Sequence, residues 1–457
     1  MDIIRPISKH IFEPLLAFYE GSNHLRYLRE LERTQYLSAA EIRELQLRRL
    51  RVLLKHAYKN CPFYTSRFDE YGFKAEEIGS INDLRNLPVL TKKDIQEHKE
   101  SMKARNFPDR ELIPNKTGGS TGSPLHFYLN RERLFSRKAS TIRHDRWTGW
   151  DIGVKMGVLW GHRIDTGGIG HWKHSIRNFI LDRRIILDTG DITAEKLKNF
   201  TSALSYFKPP IYLAYANSMY LYARYLREKG IRDYHKPQSI ITSAEVLTDE
   251  QRRVIEEVFE CRVYNRYGCR ETSMIASECP QHNGMHICAE TLLVEFIKNN
   301  RACRDGELGK IVITDLLNLG MPLIRYQIED MGSPIRGTCE CGRGLPMMNV
   351  NAGRITDFLV APDGRFISGP SLAVPIATIP GIAQAQLVQK ERDLIILKIK
   401  KQDMDDRGLR RNIRATIREF FGSGMKFEVE FVEEIPKESS GKYRFSISEI
   451  DPLEYLS

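Results

Sequence analysis

The sequence predicts an α/β protein in three parts: a helical N-terminal segment, a large multi-layered body, and a small, mobile α+β domain at the C-terminal side. Three patterns predict it. Residues 25–60 carry a helical stripe, short β-branched runs then alternate with helical stretches from about Leu87, and the texture becomes a compact βαββαβ-like order after Gly353-Arg354. The boundaries read from these changes are 1–85, 86–355 and 356–457.

In chain order, a first helix is expected over about Ser8 to Glu32. The second pattern, 25–60, places Leu45, Leu47, Leu50, Leu53 and Leu54 among Arg and Glu and stops at Asn60-Cys61-Pro62. Such a stripe docks on a folded body or faces a membrane or partner; docking is the preferred reading. In the body, the runs Met156–Trp160, Ile211–Ala214, Ser239–Thr242 and Lys310–Thr314 predict strands, and 194–206, 218–229 and 248–259 predict helices. In the small domain, strands are expected at 358–360, 383–389, 393–399 and 426–431, with helices at 371–377 and 406–421.

The chain has 457 residues, enough for two or three domains. A hydrophobic fraction of 41%, a charged fraction of 28% and the absence of any apolar run near the ~18 residues of a membrane span predict a soluble protein. Pro6, Lys9 and Glu13 interrupt the start before a signal-peptide core develops, so a cytoplasmic location is expected. The net charge of +10 is spread along the chain rather than gathered in a block, which argues against nucleic acid and for a solvated basic surface. That surface suits polyanions such as ATP and CoA and is compatible with peripheral contact at an anionic membrane.

The segment Thr117-Gly118-Gly119-Ser120-Thr121-Gly122-Ser123-Pro124 is too small and polar to pack a core. Glycine backbone and hydroxyl donors in this density suit a triphosphate, the alternative being a flexible linker. Because no Lys follows the last glycine, it is neither a P-loop nor a GxGxxG fingerprint. Eight cysteines are too few and irregular for a disulfide framework. Cys339-Glu340-Cys341, with Cys279 and either His282 or His286, supplies the donors of a Cys₃His tetrahedron; the alternative is scattered buried cysteines.

The glycine loop is followed in order by Ser243-Ala244-Glu245, Tyr267-Gly268-Cys269-Arg270-Glu271, Thr314-Asp315, Met321-Pro322-Leu323-Ile324-Arg325-Tyr326 with Asp330, Gly353-Arg354-Ile355-Thr356-Asp357, and Pro436-Lys437 through Gly441-Lys442. This series resembles the adenylate-forming superfamily. Within it, the YGxxE and MPLIRY phrases and the Cys-x-Cys-Gly-Arg at 339–343 resemble the phenylacetate–CoA ligase branch and its capsule-biosynthesis relatives. The resemblance spans roughly the whole chain and is looser over the first few dozen residues, although LLKHAYKNCPFY is similar to the opening of that branch.

The resemblance implies an acid–thiol ligase that activates a small-molecule carboxylic acid with ATP and Mg²⁺ and passes the acyl group to CoA, in a polysaccharide or secondary-metabolite pathway. It implies that Thr117 to Gly122 hold the β and γ phosphates, and that Glu271 reaches Mg²⁺. Tyr267 and the backbone of Ser243, Ala244 and Glu245 take the adenine, Asp330 the ribose hydroxyls, and Arg354 ribose or phosphate. Lys442 is implied to bridge carboxylate and α-phosphate, with Asp357 as the hinge of the small domain. Arg325 is read either in the site or in a local pair with Glu329. Similar Cys and His positions in metal-containing relatives imply structural Zn²⁺ at Cys279, His286, Cys339 and Cys341. His162, Arg163 and His174 are candidate anchors for a polar acid. Transfer to an amine or hydroxyl of a saccharide precursor, a non-catalytic nucleotide- or zinc-binding scaffold, and a homodimer remain compatible with these residues.

Overall fold

The computed structural model describes residues 2–117, 125–161, 177–190, 192–350, 358–377, 379–401, 406–435 and 444–450. The chain opens with helical turns from Ile4 to Tyr19, passing through a wider turn at Ser8–Phe12, followed by helices His24–Thr34 and Ala39–Asn60. The single helical pattern expected over 25–60 is therefore two helices. The break lies at Gln35–Ser38, where Ser38 accepts from Glu41 N at 3.3 Å and the Glu41 carboxylate accepts from Ser38 N at 2.8 Å. This reciprocal capping satisfies donors that a helix start leaves open, so a new helix begins there. Leu50, Leu53 and Leu54 are buried in one cluster with Leu316, Met321, Leu323, Ile324 and Tyr326, half-buried Leu47 packs against it, and Leu45 is buried as well. Burial of each such leucine contributes about 2 kcal/mol, which holds the helix on the body.

Two strands, β1 (Leu112–Lys116) and β2 (His126–Asn130), form an antiparallel hairpin whose connection is the glycine loop. The main sheet has 12 strands among the described residues. Its parallel part comprises β3 (Met156–Trp160), β4 (Arg184–Asp188), β5 (Ile211–Tyr215), β6 (Ser239–Ser243) and β7 (Arg262–Cys269). Its antiparallel part comprises β8 (Ser273–Glu278), β9 (Met285–Ile287), β10 (Leu292–Lys298), β11 (Arg301–Ala302), β12 (Gly309–Asp315), β13 (Tyr326–Ile335) and β14 (Met347–Val350). The spatial order is 11-10-12-13-14-9-8-7-6-5-3-4, so β7 and β8 join the two parts through the turn that carries Glu271. Helices Ala194–Phe207, Ala216–Glu228 and Asp249–Phe259 return the chain between parallel strands, as a parallel sheet requires. Their apolar faces share one cluster with the sheet, around Leu159, Leu204, Tyr212, Tyr222 and Phe259.

The small domain contains the hairpin β15 (Phe358–Val360) and β16 (Phe366–Ser368), and a sheet of β17 (Ile382–Glu391), β18 (Leu394–Lys401), β19 (Lys426–Phe431) and β20 (Ser446–Ser448), ordered 19-18-17-20. Helices Gly369–Ala377 and Asp406–Phe421 contribute to its own core; Leu409, Ile413, Ile417 and Phe421, at helical spacing, face Leu387, Ile395 and Leu397. In this domain the expected strands and helices are present, and β16 and β20 are additional; the first helix expected over Ser8 to Glu32 is instead broken between Tyr19 and His24. No helix among the described residues is long and apolar enough to cross a membrane.

Candidate active site

Four parallel strands end at Trp160, Tyr215, Ser243 and Cys269, and the crevice beyond such carboxyl ends is where open α/β sheets bind ligands. The rings of Trp160 and Tyr215 lie 4.1 Å apart there. Ser243 closes β6 and is buried; the next residue, Ala244, has φ +67°, a left-handed conformation that costs an alanine about 1–2 kcal/mol. This bend turns Glu245 toward the start of the helix Ala216–Glu228, where its Oε2 accepts from Asn217 N at 2.8 Å. A carboxylate suits that position because the first N–H groups of a helix lack intrahelical partners.

The β7–β8 turn is built to hold one carboxylate. Gly268 is required by close approach: a Cβ would stand 2.4 Å from Ser273 O. Glu271, at the turn, is buried, and the Tyr326 hydroxyl donates to its Oε1 at 3.0 Å. Two arginines of the helix Arg131–Arg146 grip the turn from behind. Arg137 donates to Arg270 O at 3.1 Å and to Glu271 O, and Arg133 donates to Thr272 O at 2.9 Å. Arg133 Nε also donates to Asp315 Oδ2 at 2.6 Å, with both side chains buried. Three successive carbonyls are thereby fixed by guanidinium donors in a low-dielectric setting. Burial, together with the neighbouring charge of Arg133, lowers the pKa of Arg137 to about 10, so it remains a cation at neutral pH.

Tyr267 donates its hydroxyl to Asp330 Oδ2 at 2.6 Å, tying β7 to β13. Burial, and then the Asp330 charge, push the Tyr267 phenol well above its ordinary range, so it stays a donor. Glu271, Tyr267 and Asp330 therefore belong to one connected region, β7–β8 and β13. Arg325 is committed elsewhere. Its Nε and Nη2 meet Glu295 at 3.1 and 3.2 Å and its Nη1 donates to Arg85 O at 3.2 Å, so its acidic partner is Glu295 on β10. Thr117 closes the base of the glycine loop: its N donates to Leu125 O at 3.0 Å and its Oγ1 accepts from Leu125 N at 2.9 Å. Gly118, Gly119, Ser120, Thr121, Gly122, His162, Arg163, His174, Arg354, Asp357 and Lys442 lie outside the described residues.

Cys279, His286, Cys339 and Cys341 converge, with one donor atom from each within 4.8 Å of all the others. Cys279 Sγ lies 3.6 Å from Cys339 Sγ, and Cys341 Sγ lies 3.3 Å from His286 Nε2. A tetrahedral ion at about 2.3 Å from sulfur and about 2.0 Å from nitrogen separates its ligand atoms by about 3.5–3.8 Å, so three thiols and an imidazole at these spacings fit Zn²⁺. His286 Nδ1 stands 3.3 Å from Leu345 O, which as acceptor leaves Nε2 toward the sulfurs. His282 instead lies 3.3 Å from Glu278 and 3.4 Å from Arg252. The Cys loop also touches the N-terminal segment at Gln35, where Gly344 N donates to Gln35 O at 3.0 Å and Arg343 Nε to Gln35 Oε1 at 3.2 Å, while Arg343 also stacks over Trp147, at the end of the helix Arg131–Arg146, at 4.4 Å.

Arg133, Arg137 and Tyr326 were not singled out by site reasoning from sequence. Tyr326 lies in a quoted motif, but the 133/137 spacing is that of any solvated helix face, and no local signal marks it as buried.

A large layered α/β body followed by a small α+β domain is the class of fold this chain adopts. A family model of the CapK C-terminal domain matches residues 359–449. Protein CapK of Staphylococcus aureus is 25% identical over 464 residues, covering 96% of this chain and 97% of its own. Phenylacetate-coenzyme A ligase of Pseudomonas putida is 28% identical over 340 residues, covering 72% and 74%. A crystal structure of 2-hydroxyisobutyryl-CoA ligase, in complex with 2-HIB-AMP and CoA in the thioesterification state, shares the fold with a TM-score of 0.63 at 20% identity, covering 93% of each chain. Residues 359–449 thus match the CapK C-terminal domain, and the chain as a whole is similar to CapK and to phenylacetate-coenzyme A ligases.

Proposed function

We propose that this chain is an acid–CoA ligase that converts a carboxylic acid to an acyl-adenylate and transfers the acyl group to the CoA thiol. The observation that carries the reading is the placement of Glu271, held at its carboxylate by Tyr326 and at its carbonyl by Arg137, in one region with Tyr267 and Asp330. Similarity to phenylacetate-coenzyme A ligases over more than 70% of the chain supports it.

In the first half-reaction a carboxylate oxygen attacks the α-phosphorus of ATP, and the bond to pyrophosphate breaks. Glu271 would hold Mg²⁺, which would supply charge neutralisation on the phosphate oxygens. The backbone of the loop Thr117 to Gly122 holds the terminal phosphates, the turn Ser243-Ala244-Glu245 and Tyr267 hold the adenine, and Asp330 accepts from the ribose hydroxyls. Arg354 supports the nucleotide, and Lys442 delivers positive charge between carboxylate and α-phosphate. In the second half-reaction the CoA thiolate attacks the acyl carbon and AMP leaves, after rotation of the small domain about Asp357. The proposed units are 1–85, 86–355 and 356–457. Zn²⁺ at Cys279, His286, Cys339 and Cys341 is structural, because four protein ligands leave no position for substrate.

The pathway proposed for this chain is a polysaccharide or secondary-metabolite one, as the sequence resemblance to capsule-biosynthesis relatives implies. Pyrophosphate release measured over a panel of carboxylic acids, with CoA present and withheld, tests acid, activity and acceptor together. Acid-dependent release with CoA-thioester formation is expected. Nucleotide binding without release for any acid leaves a scaffold role instead.

A further inference from the structure

The first helical segment is docked with its polar side inward. Ser8 and Glu13 are buried: Ser8 Oγ donates to Ile4 O at 2.8 Å and also to Ile180 O. Glu13 is held by His24 at 2.8 Å and Lys138 at 2.5 Å. Ala17 is buried and Ile7, Phe12 and Leu16 are half-buried, but four large apolar residues face solvent, with Ile11 at 51%, Leu15 at 59%, Phe18 at 87% and Tyr19 at 88% exposure. Ile11, Leu15 and Phe18 follow an i, i+4, i+7 spacing and so form one stripe. A helix seated on its own body would bury that stripe, not its glutamate. Phe179, 65% exposed and adjacent in sequence to the Ile180 that receives Ser8, extends the apolar surface.

The charges around the stripe specify what covers it. Acids of the first two helical segments are neutralised by the rest of the fold: Asp2 by Arg183, Glu13 by His24 and Lys138, Glu30 by Arg49, and Glu32 by Arg146. Glu20 is the exposed exception, whereas Arg5, His10, Arg26, Arg29 and Arg33 all face solvent. Hydrophobic residues with exposed aromatics, together with exposed cations, match the boundary between acyl chains and anionic headgroups. A second copy would set the same arginines against each other. We infer that the N-terminal helical segment docks the protein peripherally on an anionic lipid surface, through Ile11, Leu15, Phe18 and Tyr19, with positive charge supplied by the exposed Arg5 and His10 of the same segment and Arg26 and Arg29 of the next helix.

Vesicle co-sedimentation tests this with the full chain. Vesicles of phosphatidylcholine mixed with phosphatidylglycerol should bind the protein, and pure phosphatidylcholine vesicles should bind it at least about tenfold more weakly. Raising the salt to about 0.5 M should weaken the binding, because screening shortens to a few ångströms. Leu15→Glu and Phe18→Glu should each reduce binding roughly tenfold while leaving the thermal melt and pyrophosphate release unchanged. Phe18→Ala serves as a milder variant, and Arg26→Glu with Arg29→Glu should remove the preference for anionic lipid. Failure to bind anionic vesicles, or equal binding to neutral ones, overturns the inference. A concentration-dependent dimer that Leu15→Glu dissolves, seen by light scattering without lipid, overturns it in favour of a second copy.

Discussion

Tyr326 donates its hydroxyl to Oε1 of Glu271 at 3.0 Å, linking the start of β13 to the β7–β8 turn. Both residues are buried, so this bond fixes the orientation of the carboxylate, which the Cys269 thiol also meets. Tyr326→Phe should keep the fold and cost about 1–2 kcal/mol of stability, since one buried bond is lost without added bulk. It should raise the Mg²⁺ concentration for half-maximal adenylation several-fold, and Glu271→Gln should abolish adenylation. A Mg²⁺ titration of pyrophosphate release checks both, and an unchanged midpoint for Tyr326→Phe would remove Glu271 from the metal.

Arg137 acts on the same turn from the other side. Replacing it by Met leaves the carbonyls of Arg270 and Glu271 without that donor in a buried site, at a cost of about 3 kcal/mol. Arg137→Lys keeps the charge but cannot span both carbonyls, so it should fall between the two. Because the clamp positions Glu271 and touches no substrate, the melting temperature should drop, and kcat per folded molecule should drop with little change in the KM for the acid. Activity that follows only the folded fraction would reduce the clamp to a structural role.

Lys442 is expected to act in one half-reaction alone. Charge on the attacking carboxylate and the α-phosphate develops during adenylation and is gone when thiolate meets the acyl carbon. Lys442→Ala should slow adenylation by at least about a hundredfold and leave thioester formation from supplied acyl-adenylate largely intact. Single-turnover measurement of each half separates them. Equal losses would sink the assignment.

The strand and helix series was legible because its periods are local: the stripe Leu45, Leu50, Leu53 and Leu54 and the β-branched runs at 239–243 and 309–315 report their own burial. Donor chemistry named the three cysteines with either imidazole, the family resemblance chose His286, and β9–β14 pairing brings His286 beside Met347, close to the Cys339 loop. The helix break at Ser38 had a local sign, the Ser-x-x-Glu box, that the longer leucine stripe masked. Sheet order hid the rest. Glu295 becomes the partner of Arg325 because β12 brings β10 and β13 together, and Arg133 becomes buried because Asp315 ends a strand beside its helix. Nothing local states which side of 4–19 packs inward.

Glu13 makes the docking of the first helix pH-dependent. Burial raises its pKa, but the bonds from His24 and Lys138 outweigh this and lower it from 4.5 to about 2. A depressed carboxylate stabilises the fold fully above its unfolded pKa and loses that contribution as pH falls through the folded one. The stabilisation, on the order of 3 kcal/mol, should therefore be present above about pH 4.5 and decline toward pH 2. Denaturant melts of the native protein and Glu13→Gln across this range should converge at low pH. A constant difference between them would show that the ion cluster contributes nothing through titration.

The metal prediction separates two imidazoles four residues apart. Purified protein should contain about one zinc per chain, as a closed four-ligand site retains its ion. Cys339→Ser combined with Cys341→Ser should remove it and lower stability more than activity per folded molecule, since the ion joins the Cys279–His286 segment to the 339–344 loop that rests on Gln35. His286→Ala should lose the metal because its Nε2 faces Cys341, whereas His282→Ala should keep it, that ring being engaged with Glu278. Elemental analysis of protein prepared without chelator decides the matter: absence of stoichiometric metal rejects the site, and loss on His282→Ala alone exchanges the imidazoles.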